Sequence, residues 1–198
     1  MDVDMYIIKK RGSENIPVIT VTDYIDPEGY CPKILFSATY SDKGFHASFK
    51  AFEKNPKVTK TKHFEHVHLD SCLEWFINFD PVHTDRYFNF EMNAGGVANA
   101  AFRKGRHDKT YLTVEDIDAM EIKTEIFDDY WTLDYTVPFE LIKKYIPDYE
   151  FKTGLKHPSN IYKCGNETEF VHYGCWSMVN REKPDFHEID YFGTMTIE

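Results

Sequence analysis

At 198 residues, with 42% apolar and 16% aromatic side chains, the chain has ample material for a packed core and lacks the composition of a disordered segment. Its net charge of -10 works against nucleic acid and anionic membrane surfaces as partners, because both would repel it. Four cysteines without C-x-x-C spacing, Cys31, Cys72, Cys164 and Cys175, suit buried thiols in strands and a reducing compartment, with a Cys72–Cys175 disulfide left open.

Nothing resembles a linker between two cores, so a single domain over residues 1–198 is expected. The first ten residues hold only the short apolar run Met5 to Ile8 followed by two lysines, the reverse of a secretory signal. No segment approaches the roughly 20 apolar residues of a membrane span. A soluble, cytoplasmic protein is the expectation.

The dominant period along the chain is two. Ile34, Phe36, Ala38 and Tyr40 alternate with polar residues, and after a turn at residues 42–44 so do Phe45, Ala47, Phe49 and Ala51, predicting an antiparallel hairpin. Leu73, Trp75, Ile77 and Phe79 share one face of the next strand, and Cys72, Glu74, Phe76 and Asn78 the other. A partner strand places Phe88, Phe90 and Met92 on one face and Tyr87, Asn89, Glu91 and Asn93 on the other, ending at Gly95-Gly96. The basic stretch from Arg103 to Lys109 reads as a solvated loop.

Thr113 with Asp116 three residues on forms a partial capping box for a short helix. Ile122, Thr124 and Ile126 suggest a strand, and Trp131, Leu133, Tyr135 and Val137 mark another that stops at Pro138. Phe139, Leu141, Ile142 and Tyr145 then predict one or two helical turns. Short strands close the chain over 160–164, 171–178 and 192–197. Many strands, few helices and no βαβ alternation predict an all-β fold, an antiparallel β-sandwich of two sheets, jelly-roll-like, with one or two short helices. Trp75 and Trp131 share a phase with apolar neighbours and are assigned to the core.

Four segments carry a family resemblance. They are Val67-His68-Leu69-Asp70-Ser71-Cys72-Leu73-Glu74-Trp75, Tyr87-Phe88-Asn89-Phe90-Glu91-Met92-Asn93-Ala94-Gly95-Gly96, Trp131-Thr132-Leu133-Asp134-Tyr135-Thr136-Val137-Pro138-Phe139, and His172-Tyr173-Gly174-Cys175-Trp176 continuing to Pro184-Asp185-Phe186-His187 and Phe192-Gly193. In this order the chain resembles the family 9 carbohydrate-binding modules. The likeness covers roughly residues 30–198 and speaks for fold more than for ligand.

The resemblance implies a sugar held between two tryptophans, with carboxylate and amide side chains bonding its hydroxyls. Residue by residue, Trp176 is similar to the C-terminal tryptophan, Glu74 to the acid and Asn93 to the amide, while His68 stands where the first tryptophan would be. Histidine offers a smaller face than tryptophan, and its charge changes near pH 6.5. Glu91, on the face of Asn93, joins the candidate carbohydrate-binding set with Tyr173 and His187 of the last segment. A pyranose needs a flat apolar platform with donors and acceptors at its rim, and Trp176 is the expected platform.

The implied function is noncatalytic binding of a mono- or oligosaccharide, with a separate glycoside hydrolase as a protein partner. Structural calcium is possible by family resemblance, but no carboxylate-rich loop identifies its ligands, and Asp128 with Asp129 is too small a set. Two alternatives stay open. One is a sugar-metabolism hydrolase using Glu74 or Glu91 as acid or base, although no motif singles out a catalytic pair. The other is a metal- or haem-binding sandwich domain, for which His63, His66, His68 and Asp70 form the densest group of potential ligands.

Overall fold

The structure, a computed structural model, describes residues 4–179 and 185–198. The first strands are β1 (Met5–Lys10), β2 (Ile19–Val21), β3 (Asp23–Tyr24), β4 (Ile34–Tyr40) and β5 (Gly44–Ala51). A 3₁₀ turn, Val67–Leu69, leads into β6 (Cys72–Ile77), β7 (Tyr87–Asn93), β8 (Ala98–Lys104) and β9 (Asp108–Tyr111). Helix α1 (Val114–Ala119) precedes β10 (Lys123–Ile126) and β11 (Trp131–Pro138), and α2 (Phe139–Tyr145) follows directly. The chain ends with β12 (Lys156–Gly165), β13 (His172–Cys175), a second 3₁₀ turn, Ile189–Tyr191, and β14 (Gly193–Ile197).

The period-two runs become strands for the expected reason. In β4 and β5 the buried residues Ile34, Phe36, Ala38, Phe45, Ala47, Phe49 and Ala51 all point one way, and the register sets Phe36 opposite Phe49 and Ala38 opposite Ala47. Each fully buried phenylalanine contributes about 1.5 to 3 kcal/mol of transfer free energy. Gly44 lets this hairpin close against β11, since a Cβ there would lie 2.2 Å from the Val137 carbonyl oxygen. Both helices start as the sequence predicts. The Thr113 hydroxyl accepts from the Asp116 amide while the Asp116 carboxylate accepts from the Thr113 amide, and Pro138, with its fixed φ, stands at the N-cap position of α2.

Pairing runs β10-β11-β5-β4-β1-β14-β12-β6-β7-β8-β9, with β2 on β4 and β13 between β12 and β3. The all-β class holds, but the purely antiparallel expectation is corrected at β1. That strand pairs in parallel with β14 through residues 5–8 and with β4 through residues 9–10, so it joins the two arms into one mixed, curled sheet. No turn-like signal marked β1, because its apolar run was too short to read as more than a generic segment.

The arms face each other across a core centred on Trp75, whose ring lies 5.5 Å from Phe36 and 6.5 Å from Tyr135. Trp75 and Trp131 are wholly buried as expected, and their indole N–H groups donate to Ser159 and Glu53. Glu53 also accepts from Ser71 and pairs at 3.2 Å with the fully buried Lys163. A second apolar cluster, containing Phe76, Tyr87, Tyr162, Phe186 and Phe192, covers the far face of β6, β7 and β12. These strands are therefore buried on both faces.

All four cysteines are free thiols. Cys72, Cys164 and Cys175 are buried, whereas Cys31 is exposed and outside any strand, which corrects the expectation of four buried thiols. Among the described residues no helix is long and apolar enough to cross a membrane.

Candidate functional site

The far face of β6–β9 carries a pocket of about 520 Å³, within the roughly 300 to 1,000 Å³ typical of ligand sites. Alternation explains its floor. Cross-strand register lines up Tyr162, Glu74, Glu91 and Asn99 on four neighbouring strands, all on the face away from Trp75. A parallel row brings Tyr87, Arg103 and Lys109 side by side.

Glu74 and Glu91 are 3% and 4% exposed and face each other directly. Burial, and after it the charge of Glu91, pushes the Glu74 carboxyl up to about 8. Burial raises Glu91 as well, against the opposing pull of Asn99, Arg103 and Asn89. Its two oxygens accept from Asn89 Nδ2 at 2.7 Å and Asn99 Nδ2 at 2.9 Å. At neutral pH Glu74 is thus protonated and can donate, beside a Glu91 carboxyl that accepts from the two asparagine amides.

The walls come from loops docked onto this face. Phe186 stacks on Tyr162 with centroids 4.1 Å apart, which positions the neighbouring His187 over Phe76 at 5.1 Å. Arg103 Nη1 lies 3.1 Å from each ring nitrogen of His187, and the Tyr87 hydroxyl is 3.1 Å from Nδ1. Burial, then the adjacent Arg103 and Arg106, drives His187 down to about 3, so it is a neutral acceptor. Arg106 is held by Asp185 at 2.9 and 3.2 Å. His66, His68, Tyr111, Asn166 and Tyr173 complete the rim, and burial lowers the His68 pKa.

Of the sequence-predicted residues, the structure brings Glu74, Glu91, His68, Tyr173 and His187 to one pocket. Asn93 does not line it. Its amide donates to Asp70 and the Lys60 carbonyl and accepts from the Gly95 and Val97 amides, so the turn after β7 consumes it. Trp176 does not line it either. Tyr173 and Cys175 pair with Cys164 and Tyr162 on the pocket side of the sheet, so Trp176, next along, packs half-buried against the main core on the other face. The Pro184 of the last segment lies outside the described residues.

Asn99, Arg103 and Lys109 were missed. The small side chains of Ala98, Ala100 and Ala101 hide the alternation of β8, and the stretch expected to be a solvated loop instead forms the β8–β9 hairpin, with Arg103 only 2% exposed. In hindsight the signal was the phase shared by Asn99 and Arg103, four residues apart on one strand face.

The metal alternatives find little here. His63 accepts from the Ala98 amide, Asp70 is saturated by Thr59, Lys60 and Asn93, and His66 and His68 meet edge to face. Asp129 is engaged by Lys54, so the Asp128–Asp129 pair does not fit a calcium cage. Among the described residues no three His, Cys, Asp or Glu side chains converge as ligands.

The sequence model of carbohydrate-binding family 9 matches residues 9–197. Among solved structures, a proposed carbohydrate-binding protein from Bacteroides uniformis is similar over 100% of both chains, with a TM-score of 0.83 and 19% identity. A family 9 module from Caldicellulosiruptor kristjanssonii, in complex with cellotriose, matches 98% of this chain and 94% of its own at TM-score 0.66 and 11% identity. The same organism's family 9 module with glucose covers 98% and 96% at TM-score 0.67 and 9% identity. At these identities the structures speak for the fold. No curated protein matches the chain.

Proposed function

This chain belongs to carbohydrate-binding family 9, and on that premise we propose that it is a single noncatalytic carbohydrate-binding domain whose mono- or oligosaccharide sits over Glu74 and Glu91. One observation carries this reading: the pocket floor sets the protonated Glu74 carboxyl beside Glu91, flanked by Asn99 and Arg103, offering donors and acceptors within one cavity. Sugar hydroxyls both donate and accept, so a mixed set suits them better than a ring of acceptors. Tyr173, Tyr111 and the His68 imidazole offer flat faces for a pyranose at the rim. Trp176 then supports β14 rather than the ligand. The glucose and cellotriose complexes of the structural neighbours support the ligand class.

Calorimetric titration with glucose, xylose and their oligosaccharides tests the reading. Saturable binding is expected, weakened about 3- to 10-fold by Asn99→Ala or Tyr173→Ala, since each net hydrogen bond contributes about 0.5 to 1.5 kcal/mol. Absence of binding across such a panel overturns it. A hydrolase reading is favoured by one feature, two neighbouring buried carboxyls of which Glu74 is pushed up to about 8. Release of aryl alcohol from aryl glycosides, lost in Glu74→Gln, would favour that reading over plain binding.

A further inference from the structure

We propose that the pocket selects sugars bearing an anionic group, a uronic acid carboxylate or a sugar phosphate, and that Arg103 and Lys109 bind that group. The proposal rests on the carbohydrate reading above and names the ligand's chemical class.

Arg103 is 2% exposed and lines the pocket, yet its Nε has no hydrogen-bond partner. Among the described residues no carboxylate comes within ion-pair distance of it, whereas its neighbour Arg106 is held by Asp185. Its contact with His187 is to a neutral ring. Glu91 offsets the guanidinium through space, but its oxygens accept from Asn89 and Asn99. A buried cation left this way is costly unless something completes it.

Lys109 sharpens the point. It stands directly opposite Arg103 in the β8–β9 register, lines the same pocket and has no carboxylate partner among the described residues. Its ammonium lies 5.1 Å from the centroid of the Tyr111 ring, over the rim. Like charges directly opposite on paired strands are destabilising. An anion seated between them removes the repulsion and satisfies the free guanidinium edge, and the planar fork of arginine suits carboxylate and phosphate alike.

The rest of the molecule would not attract such a ligand. A chain of net charge -10 repels anions on average, so capture must come from this local arrangement. The carboxylates of the floor do not cancel it. Glu74 is protonated at neutral pH, and Glu91 faces the two cationic side chains Arg103 and Lys109, while Arg106 is held by Asp185. The sugar ring would rest over the carboxyl pair, with its acidic substituent toward β9.

The test is calorimetry of the full chain with glucuronate, glucose 6-phosphate and glucose. One of the anionic sugars is expected to bind about tenfold or more tightly than glucose at about 50 mM salt, with the preference shrinking at about 300 mM. The stronger of the two assigns carboxylate or phosphate. Arg103→Met should bring the anionic-to-neutral ratio close to one. Because Arg103 is buried, the rim variant Lys109→Met serves as a second readout and should lower the same ratio several-fold. Equal affinity for glucose and both anionic sugars overturns the proposal while leaving the carbohydrate reading intact. Binding of inorganic phosphate as tightly as glucose 6-phosphate, without any binding of glucuronate, also overturns it, and binding of no sugar at all overturns both.

Discussion

Glu74 and Glu91 stand opposite each other across the β6–β7 pair, both buried, and burial together with the facing carboxyl keeps Glu74 protonated at neutral pH. Two adjacent charges out of water would be costly, and the arrangement keeps one group neutral. Glu74 therefore carries a pH-dependent stability term. Its folded pKa, about 8, exceeds the ordinary 4.5, so the stabilisation is fully present below about 4.5 and is lost as pH rises toward 8. Glu74→Gln should remove the decline between about pH 6.5 and 8 and raise the midpoint at pH 8 by about 3 °C or more. Calorimetric melts of both proteins at the two pH values check this. Identical slopes would contradict a raised Glu74 pKa.

His187 works in the opposite direction. Its folded pKa is pushed down to about 3 from 6.5, so its contribution is present above 6.5 and lost as pH falls toward 3. Protonation would set a charge beside Arg103 and against Phe76. His187→Gln is expected to flatten the loss of stability between about pH 6 and 4, at some cost near neutrality from the lost stack. Nitrogen chemical shifts of the ring at pH 5 provide the direct check, and an imidazolium signal there would contradict a neutral ring.

The buried pair Lys163–Glu53 predicts strong non-additivity. Lys163 is wholly buried, Glu53 is 4% exposed, and Lys163, Trp131, Ser71 and His172 outweigh burial in holding the Glu53 pKa down. Removing one partner strands the other charge and costs about 3 to 5 kcal/mol. Lys163→Met and Glu53→Gln should each destabilise by that order, and the double variant by clearly less than their sum. Urea unfolding of the four proteins measures the coupling.

Much of this fold was legible because alternation is a local signal. Ile34 to Ala51, Leu73 to Phe79 and Trp131 to Val137 each write their buried face into every second residue, and Thr113 and Pro138 mark helix starts within a few positions. The role of β1 was not legible, since a parallel bridge between β4 and β14 depends on partners about 30 and 190 residues away, and sequence period carries no pairing direction. Glu74 was named from the resemblance and Glu91 from the strand face it shares with Asn93, and their common phase opposite the core residues brings both to the pocket. Arg103 was lost among neighbouring charges, because a basic run looks solvated until a docked loop covers one member of it. Trp176, which the resemblance puts at the sugar, lies outside the Glu74–Glu91 pocket, because strand parity after Tyr173 turns it to the other face.

That parity leads to the last prediction. The Trp176 amide donates to the Ile161 carbonyl, and its ring lies over Gly193, where a Cβ would come within 2.9 Å of the ring and 3.0 Å of the Asp4 carbonyl oxygen. Glycine is thus required where β14 passes beneath the indole. Trp176→Ala should cost about 2 kcal/mol, less than a fully buried tryptophan because the ring is only partly buried, and should leave sugar affinity within about twofold. Gly193→Ala should destabilise the parent more than it destabilises the Trp176→Ala background, where only the Asp4 contact remains. Chemical denaturation of the four proteins, with titration of one bound sugar, separates the two roles. A large loss of affinity in Trp176→Ala, with stability unchanged, would return the tryptophan to the ligand site.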